Sequence, residues 1–150
     1  IKYNSFLNLQ SIMTKPKFES LKEGDEIPAL KIMPVTRHTL ALYCGASGDH
    51  NPIHVDLDYA KSVGLEDVIA HGMLSAGYLG RMLTNWVPQS TIRSINNRFT
   101  AMTHIGDSIT CTGKVTEKFE KENEKLVRIE MQAHTPNSQT IIAEAVIALE

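Results

Sequence analysis

The chain is 150 residues long, 42% hydrophobic and 21% charged, with a formal net charge of −2 at pH 7. That length and balance suit one domain with a real core, and no internal repeat or low-complexity tract divides it. Near-neutral charge without a Lys/Arg block excludes non-specific nucleic-acid binding.

The first thirteen residues hold scattered apolar side chains but no continuous hydrophobic run and no small-residue cleavage site, so neither a signal peptide nor a membrane segment is expected there. Met13-Thr14-Lys15 comes next, and the domain is expected to occupy 14–150, with 1–13 an N-terminal extension that is disordered or appended. Residues 27–35 read as a first strand. Two short helices come after it: 36–46 with Thr36 as cap, and 56–63 capped by Asp56 and stopped by Gly64.

Between those helices runs Ser47-Gly48-Asp49-His50-Asn51-Pro52-Ile53-His54. Pro52 has a fixed φ and no N–H, and it pushes Asn51 out of the α region, so the segment reads as a turn. Asp49 and His54 are therefore expected to converge across it. Gly48 and Asn51 tolerate unusual backbone angles, and the Asn51 side chain hydrogen-bonds locally, which gives both a turn-shaping part. The bland alternative is an Asx-turn loop with a surface histidine, and the next element weighs against it.

Ala70-His71-Gly72-Met73 opens a stretch over 72–87 that is apolar on nearly every face until Pro88, which predicts a helix buried all round. Its N-terminus would offer free N–H groups and the positive dipole end to an anion, whether carboxylate, phosphate or enolate. Gly72, Ala76 and Gly80 recur every fourth residue, leaving one stripe nearly bare. Tight packing on a sheet is expected at Gly80, and either packing or ligand contact at Gly72. The span is too short, and too interrupted by His71 and Arg81, to cross a membrane.

Beyond Pro88 the pattern is extended, over 92–102, 108–121, 124–135 and 139–149. Val127, Ile129, Met131 and Ala133 alternate with Arg128, Glu130, Gln132 and His134, giving one dry and one wet face. Gly106-Asp107, Glu122-Asn123 and Pro136-Asn137-Ser138 supply turns. One strand, a helical excursion, a buried helix and four strands make an antiparallel sheet able to wrap the helix.

Cys44 and Cys111 have no CxxC spacing and fall in a helix and a strand, so buried free thiols and a cytoplasmic setting are expected. Arg37, Arg81, Arg93 and Lys114 are scattered, as solvated basics or as contacts to a phosphate. His50, His54 and His71 lie near Asp49 in sequence, but a paired-ligand face needs a helix that Pro52 breaks, and no metal is expected. His38, His104 and His134 read as surface residues.

Tyr43, Gly48, Asp49, Asn51, Pro52, Ile53 and His54, followed by His71-Gly72-Met73, resemble the motifs of the MaoC-like, (R)-specific enoyl-thioester hydratase/dehydratase family, in particular its small (3R)-hydroxyacyl-thioester dehydratase subunits. Glu23-Gly24-Asp25, Arg98-Phe99 and Gly106-Asp107 agree, so the match runs from about Phe18 to the carboxyl end. Two positions depart: Met102 where many members have proline, and Gly77 where some have a serine facing the active site, with Ser75 two residues earlier. The resemblance implies an α+β hot-dog fold, an antiparallel β-sheet wrapped around a central α-helix with a helical excursion carrying the hydratase motif. It further implies pairing as a homodimer or higher oligomer, with a heterodimer as the other option, and an (R)-configured product.

In a trans-2-enoyl thioester, water adding at the β-carbon drives charge onto the thioester oxygen as an enolate. Gly72 N–H is the expected oxyanion donor, a contact of about 3 kcal/mol at the transition state. Met73 and Ser75 are expected beside the substrate. Asp49 and His54 hold the water and move its proton, with Asp49 favoured as the acceptor. No cofactor is expected beyond a coenzyme A or acyl-carrier-protein thioester as substrate. A hot-dog thioesterase would need a carboxylate on the central helix, and 72–87 contains no Asp or Glu. A non-catalytic partner subunit would lack the Asp/His signature that this chain keeps.

Overall fold

The computed structural model describes residues 15–150, and the expectation for residues 1–13 lies outside the described residues. Five strands, β1 (Glu26–Ile32), β2 (Ile92–Phe99), β3 (Ile109–Lys121), β4 (Glu124–His134) and β5 (Gln139–Leu149), form one antiparallel sheet. Their order is β1-β3-β4-β5-β2.

Period-two patterning builds the meander. In β4, Val127, Ile129, Met131 and Ala133 are at most 3% exposed, while Glu130 and Gln132 face water. Glu122 and Asn123, with φ of 52° and 65°, make the two-residue turn that pairs Lys121 with Glu124. A bulge between Val115 and Glu117 coils the β3–β4 pair. Gly113 lets β1 close over β3: a Cβ there would stand 2.8 Å from Cδ1 of Ile27 and 3.3 Å from Cγ2 of Ile129. At the amino end, Phe18 N–H donates to the Glu150 carbonyl at 2.9 Å, tying that end to the end of β5.

The curled face of the sheet receives the central helix α3 (Gly72–Trp86). Leu74, Leu79, Met82 and Leu83 bury one stripe of α3 in a core that includes Ile109, Val115, Ile129, Ile141 and Ile147. Each fully buried aliphatic side chain of this kind contributes about 1.5–3 kcal/mol.

The expectation of a helix buried all round is corrected. Met73 is 57% exposed, and Gly77, Arg81 and Thr84 are also open, because five strands enclose only one side of α3. The close packing expected at Gly80 is absent too: a Cβ there would meet nothing within 4 Å. The close approach is at Gly72 instead.

The excursion between β1 and α3 obeys its caps. Helix α1 (Arg37–Ser47) starts where Thr36 Oγ1 accepts from Thr39 N–H at 3.1 Å, and ends at Gly48, with φ of 74°. Helix α2 (Leu57–Ser62) starts where Asp56 Oδ1 accepts from Asp58 and Tyr59 N–H, both at 3.0 Å. Cys111 is fully buried in β3; Cys44, expected buried, is only half-buried in α1. His38 and His104 are exposed as expected, whereas His134 is half-buried on the outer face of β4. No helix among the described residues is long and apolar enough to cross a membrane.

Candidate active site

Gly48 reverses the chain after α1, and three local hydrogen bonds shape the turn beyond it. Ser47 Oγ accepts from Asp49 N–H at 3.2 Å, Asp49 Oδ1 from Asn51 N–H at 3.3 Å, and Asn51 Oδ1 from Ile53 N–H at 3.1 Å. Pro52 then opens a single 3-10 turn, Pro52–His54. The result presents Asp49, largely open to solvent, and the half-buried His54 toward the same point.

The opposing wall is the stretch entering α3. Ile69 N–H donates to the Ile53 carbonyl at 3.3 Å and Ala70 N–H to the Thr103 carbonyl at 2.9 Å, pinning this stretch between the turn and the loop after β2. His54 Nδ1 lies 2.7 Å from the Ile69 carbonyl. A carbonyl only accepts, so Nδ1 carries the proton and Nε2 of the neutral ring is a bare lone pair.

His71, 1% exposed, caps α3 and donates through Nε2 to the Asp49 backbone carbonyl at 3.1 Å. Its ring stacks on His54, with centroids 3.8 Å apart and planes 27° apart, and meets Tyr43 edge-on at 4.9 Å. Burial pushes the His71 imidazole below its ordinary range and a charge on His54 adds to this, while the Asp49 carbonyl and carboxylate oppose it. Asp49, His54 and His71 each place a carboxylate oxygen or ring nitrogen within 4.8 Å of the other two. The sequence motif contained His71, yet nothing local marked its task, since its partner lies 22 residues upstream.

The N-terminus of α3 has no side-chain cap. Gly72 sits there beneath Phe99, whose Cδ1 and Cε1 would lie 3.0 Å from a Cβ. A cavity of about 210 Å³ opens beside it, lined in part by His54, Gly72, Ser75, Phe99, Met102 and Thr140. Ser75 is 1% exposed and its Oγ has no partner among the described residues, so a hydroxyl borders the cavity unspent. Gly77, at the position of the family's serine, is exposed with open space around it. Met73 does not border this cavity and points elsewhere on the open side of α3. A wider groove of about 700 Å³ crosses the sheet among Glu26, Asn96, Arg98, Lys114, Glu130 and Glu144, away from the clustered acid and imidazoles.

The same cluster has the residue types of a metal site, but not the directions. Imidazole lone pairs lie in the ring plane, and two rings stacked nearly parallel at 3.8 Å send them along separate planes rather than to one ion about 2.0–2.1 Å from each. Each ring also spends one nitrogen on a backbone carbonyl. The arrangement suits proton transfer better than coordination.

An antiparallel sheet curled around one helix, with an acid and two imidazoles gathered at that helix's amino end and one of those imidazoles on the wall of a mostly apolar cavity, is a hot-dog fold with a site suited to acid–base chemistry. The chain belongs to the family of MaoC-like domains, which matches residues 20–137. It is 38% identical over 101 residues to an (R)-specific enoyl-CoA hydratase of Rhodospirillum rubrum, covering 66% of this chain and 69% of the relative. A mitochondrial 3-hydroxyacyl-[acyl-carrier-protein] dehydratase of Arabidopsis thaliana is 23% identical over 138 residues, 92% of this chain and 82% of that one. Among solved structures, the unliganded R-hydratase PhaJ1 from Pseudomonas aeruginosa superposes with a TM-score of 0.77 at 27% identity, over 89% of this chain and 86% of its own.

Proposed function

We propose that the protein hydrates trans-2-enoyl thioesters to (3R)-hydroxyacyl thioesters and catalyses the reverse dehydration in acyl metabolism. The observation that carries the reading is the meeting of Asp49 and His54 at the amino end of α3. A water held between the two gives its hydroxyl to the β-carbon and its proton to the pair, while charge moves onto the thioester oxygen. Gly72 N–H and the helix dipole hold that oxygen. The same proton then returns to the α-carbon, so one water is added across the double bond and nothing is left over. Dehydration is the reverse.

The bare Nε2 of His54 supports this ring as the first acceptor, which shifts Asp49 from the acceptor favoured on sequence to the group that orients water and passes the proton on. Ser75 Oγ is the polar contact offered to the bound reactant from the cavity wall. Gly48, Asn51 and Pro52 shape the turn and touch no substrate. The chemistry needs no cofactor besides the thioester carrier, coenzyme A or acyl carrier protein.

Assembly as a dimer completes the site in this reading. Among the described residues strand β2 lies at the sheet edge, hydrogen-bonded on one side only, and Phe99 and Met102 beside the cavity are half exposed. A second copy, or a related subunit, would cover both. Two unpaired thiols support a reducing, cytoplasmic compartment.

The test is the conjugated enoyl-thioester absorbance with short and medium trans-2-enoyl-CoA, run with Asp49→Asn and His54→Gln and followed by chiral assignment of the product. Loss of absorbance that collapses in both variants, with unchanged circular dichroism, is expected. Full activity in either variant refutes the role of that residue, and an (S) product refutes the stereochemistry.

A further inference from the structure

His71 is a buried polar residue that the hydration scheme leaves unused. Its Nε2 is spent on the Asp49 carbonyl and its buried ring lies behind that of His54, so it acts on the reactants through those two groups. Three elements meet on it. Tyr43 of α1 touches one edge of its ring, the turn contributes the Asp49 carbonyl and the stacked His54, and the backbone of His71 itself caps α3. Those are also the titratable groups that face it, since the first turn of α3 holds no acid.

We propose that His71 is a positioning residue for the hydration reaction, its Nε2–H fixing the backbone of Asp49 and its ring backing that of His54. The inference rests on the proposed hydratase reading and names what holds its two reacting groups together. Asp49 needs such a hold: its carboxylate is exposed, and its one hydrogen bond among the described residues is a long 3.3 Å contact from Asn51 N–H. The bond from His71 reaches across 22 residues and ties the backbone of Asp49 to the helix end that carries Gly72. The acid and the oxyanion donor are thereby fixed in one frame.

The same contacts set the tautomer. Nε2 must be protonated to donate to a carbonyl, and the buried Nδ1 has no partner among the described residues, so a proton there would be an orphaned donor in an apolar setting. A bare lone pair is the less costly state. Neutrality also keeps a second positive charge off the face of His54 when that ring takes the proton from water, and the burial that lowers the affinity of His71 for protons acts in this direction.

Two measurements test the proposal. Nitrogen-15 imidazole spectra of the wild-type protein near neutral pH should show His71 as the neutral Nε2–H tautomer and His54 as Nδ1–H; the opposite tautomer at His71 overturns the proposal whether or not the protein hydrates anything. Kinetics with trans-2-butenoyl-CoA then compare His71→Phe, which keeps a ring without a donor, with His71→Gln, which keeps a donor without a ring. A displacement of the acid by about 1 Å should lower kcat by about 100-fold in His71→Phe with KM within about threefold, and His71→Gln should stay within about tenfold of wild type. Equal losses in the two folded variants, or a change confined to KM, overturn the proposal. If His71→Phe fails to fold by circular dichroism, the tautomer assignment decides.

Discussion

Gly72→Ala separates stability from activity at one atom. Gly72 opens α3 with an ordinary negative φ, so alanine fits there and, at the first helical position, gains only part of the roughly 0.5–1 kcal/mol interior preference over glycine. The added methyl would stand 3.0 Å from Cδ1 and Cε1 of Phe99, a few tenths of an ångström inside normal contact, and Phe99 is half exposed and able to move. Net stability should therefore change by less than about 1 kcal/mol. Activity should fall much further. The displaced ring walls the cavity, and the Gly72 N–H is the donor assigned to the enolate oxygen. Alanine keeps that N–H, but its methyl and the shifted Phe99 ring move the bound oxygen away from it, and a misplacement approaching about 1 Å should remove about 10–100-fold in kcat. Urea unfolding and the enoyl-thioester absorbance assay, run on one preparation, read both quantities. Activity within about twofold of wild type would show that the reactant does not lie between Gly72 and Phe99, and a loss of stability parallel to activity would show that Gly72 is only a packing position.

Leu79→Ala, at a fully buried site on the sheet-facing stripe of α3, should cost about 3–5 kcal/mol in urea unfolding; a cost below about 1 kcal/mol would place α3 outside the core. His71 sets a pH dependence whose sign is fixed by its lowered proton affinity. Below the ordinary imidazole range the unfolded chain binds a proton that the folded one refuses, so this contribution is complete above that range and is lost as pH falls through the depressed folded value. Urea midpoints of wild type and His71→Gln should converge as pH falls below about 6.5, and parallel curves would contradict it. Burial pushes the Cys111 thiol up to about 11, so an aromatic disulfide reagent at mildly alkaline pH should titrate Cys44 in the native protein and Cys111 only after unfolding.

The features legible in the sequence are those set by local constraints. Pro52 forbids a helix through the motif on its own, so the convergence of Asp49 and His54 could be read without tertiary information. The alternation of Val127 to Ala133 reports a sheet with one wet face for the same reason. Thr36, Asp56 and Gly64 marked the ends of α1 and α2 to within a residue or two, because a cap is chemistry between near neighbours. The open side of α3 was not legible: apolar residues such as Met73 look alike whether they meet the sheet, a second subunit or water. His71 stood in plain view in its motif, but its hydrogen bond, its stacking partner and its empty Nδ1 exist only once the chain has folded back on itself.

The strand order has a consequence for how this molecule comes to exist. β1 and β2 are consecutive in the chain yet lie at opposite edges of the sheet, each waiting for a later strand: β1 for β3, and β2 for β5. The Asp49–His54 turn and α3 lie between them, so during synthesis they emerge before the surface that will hold them. The β3–β4–β5 meander has short turns and low closure cost, which makes it the natural first structure, and the earlier segments must then dock backwards onto it. Removing Gln139–Leu149 would thus strip β2 of its pairing strand, and with it the Phe99 wall beside Gly72. The last of the five strands to be made decides whether the segments before it acquire a function.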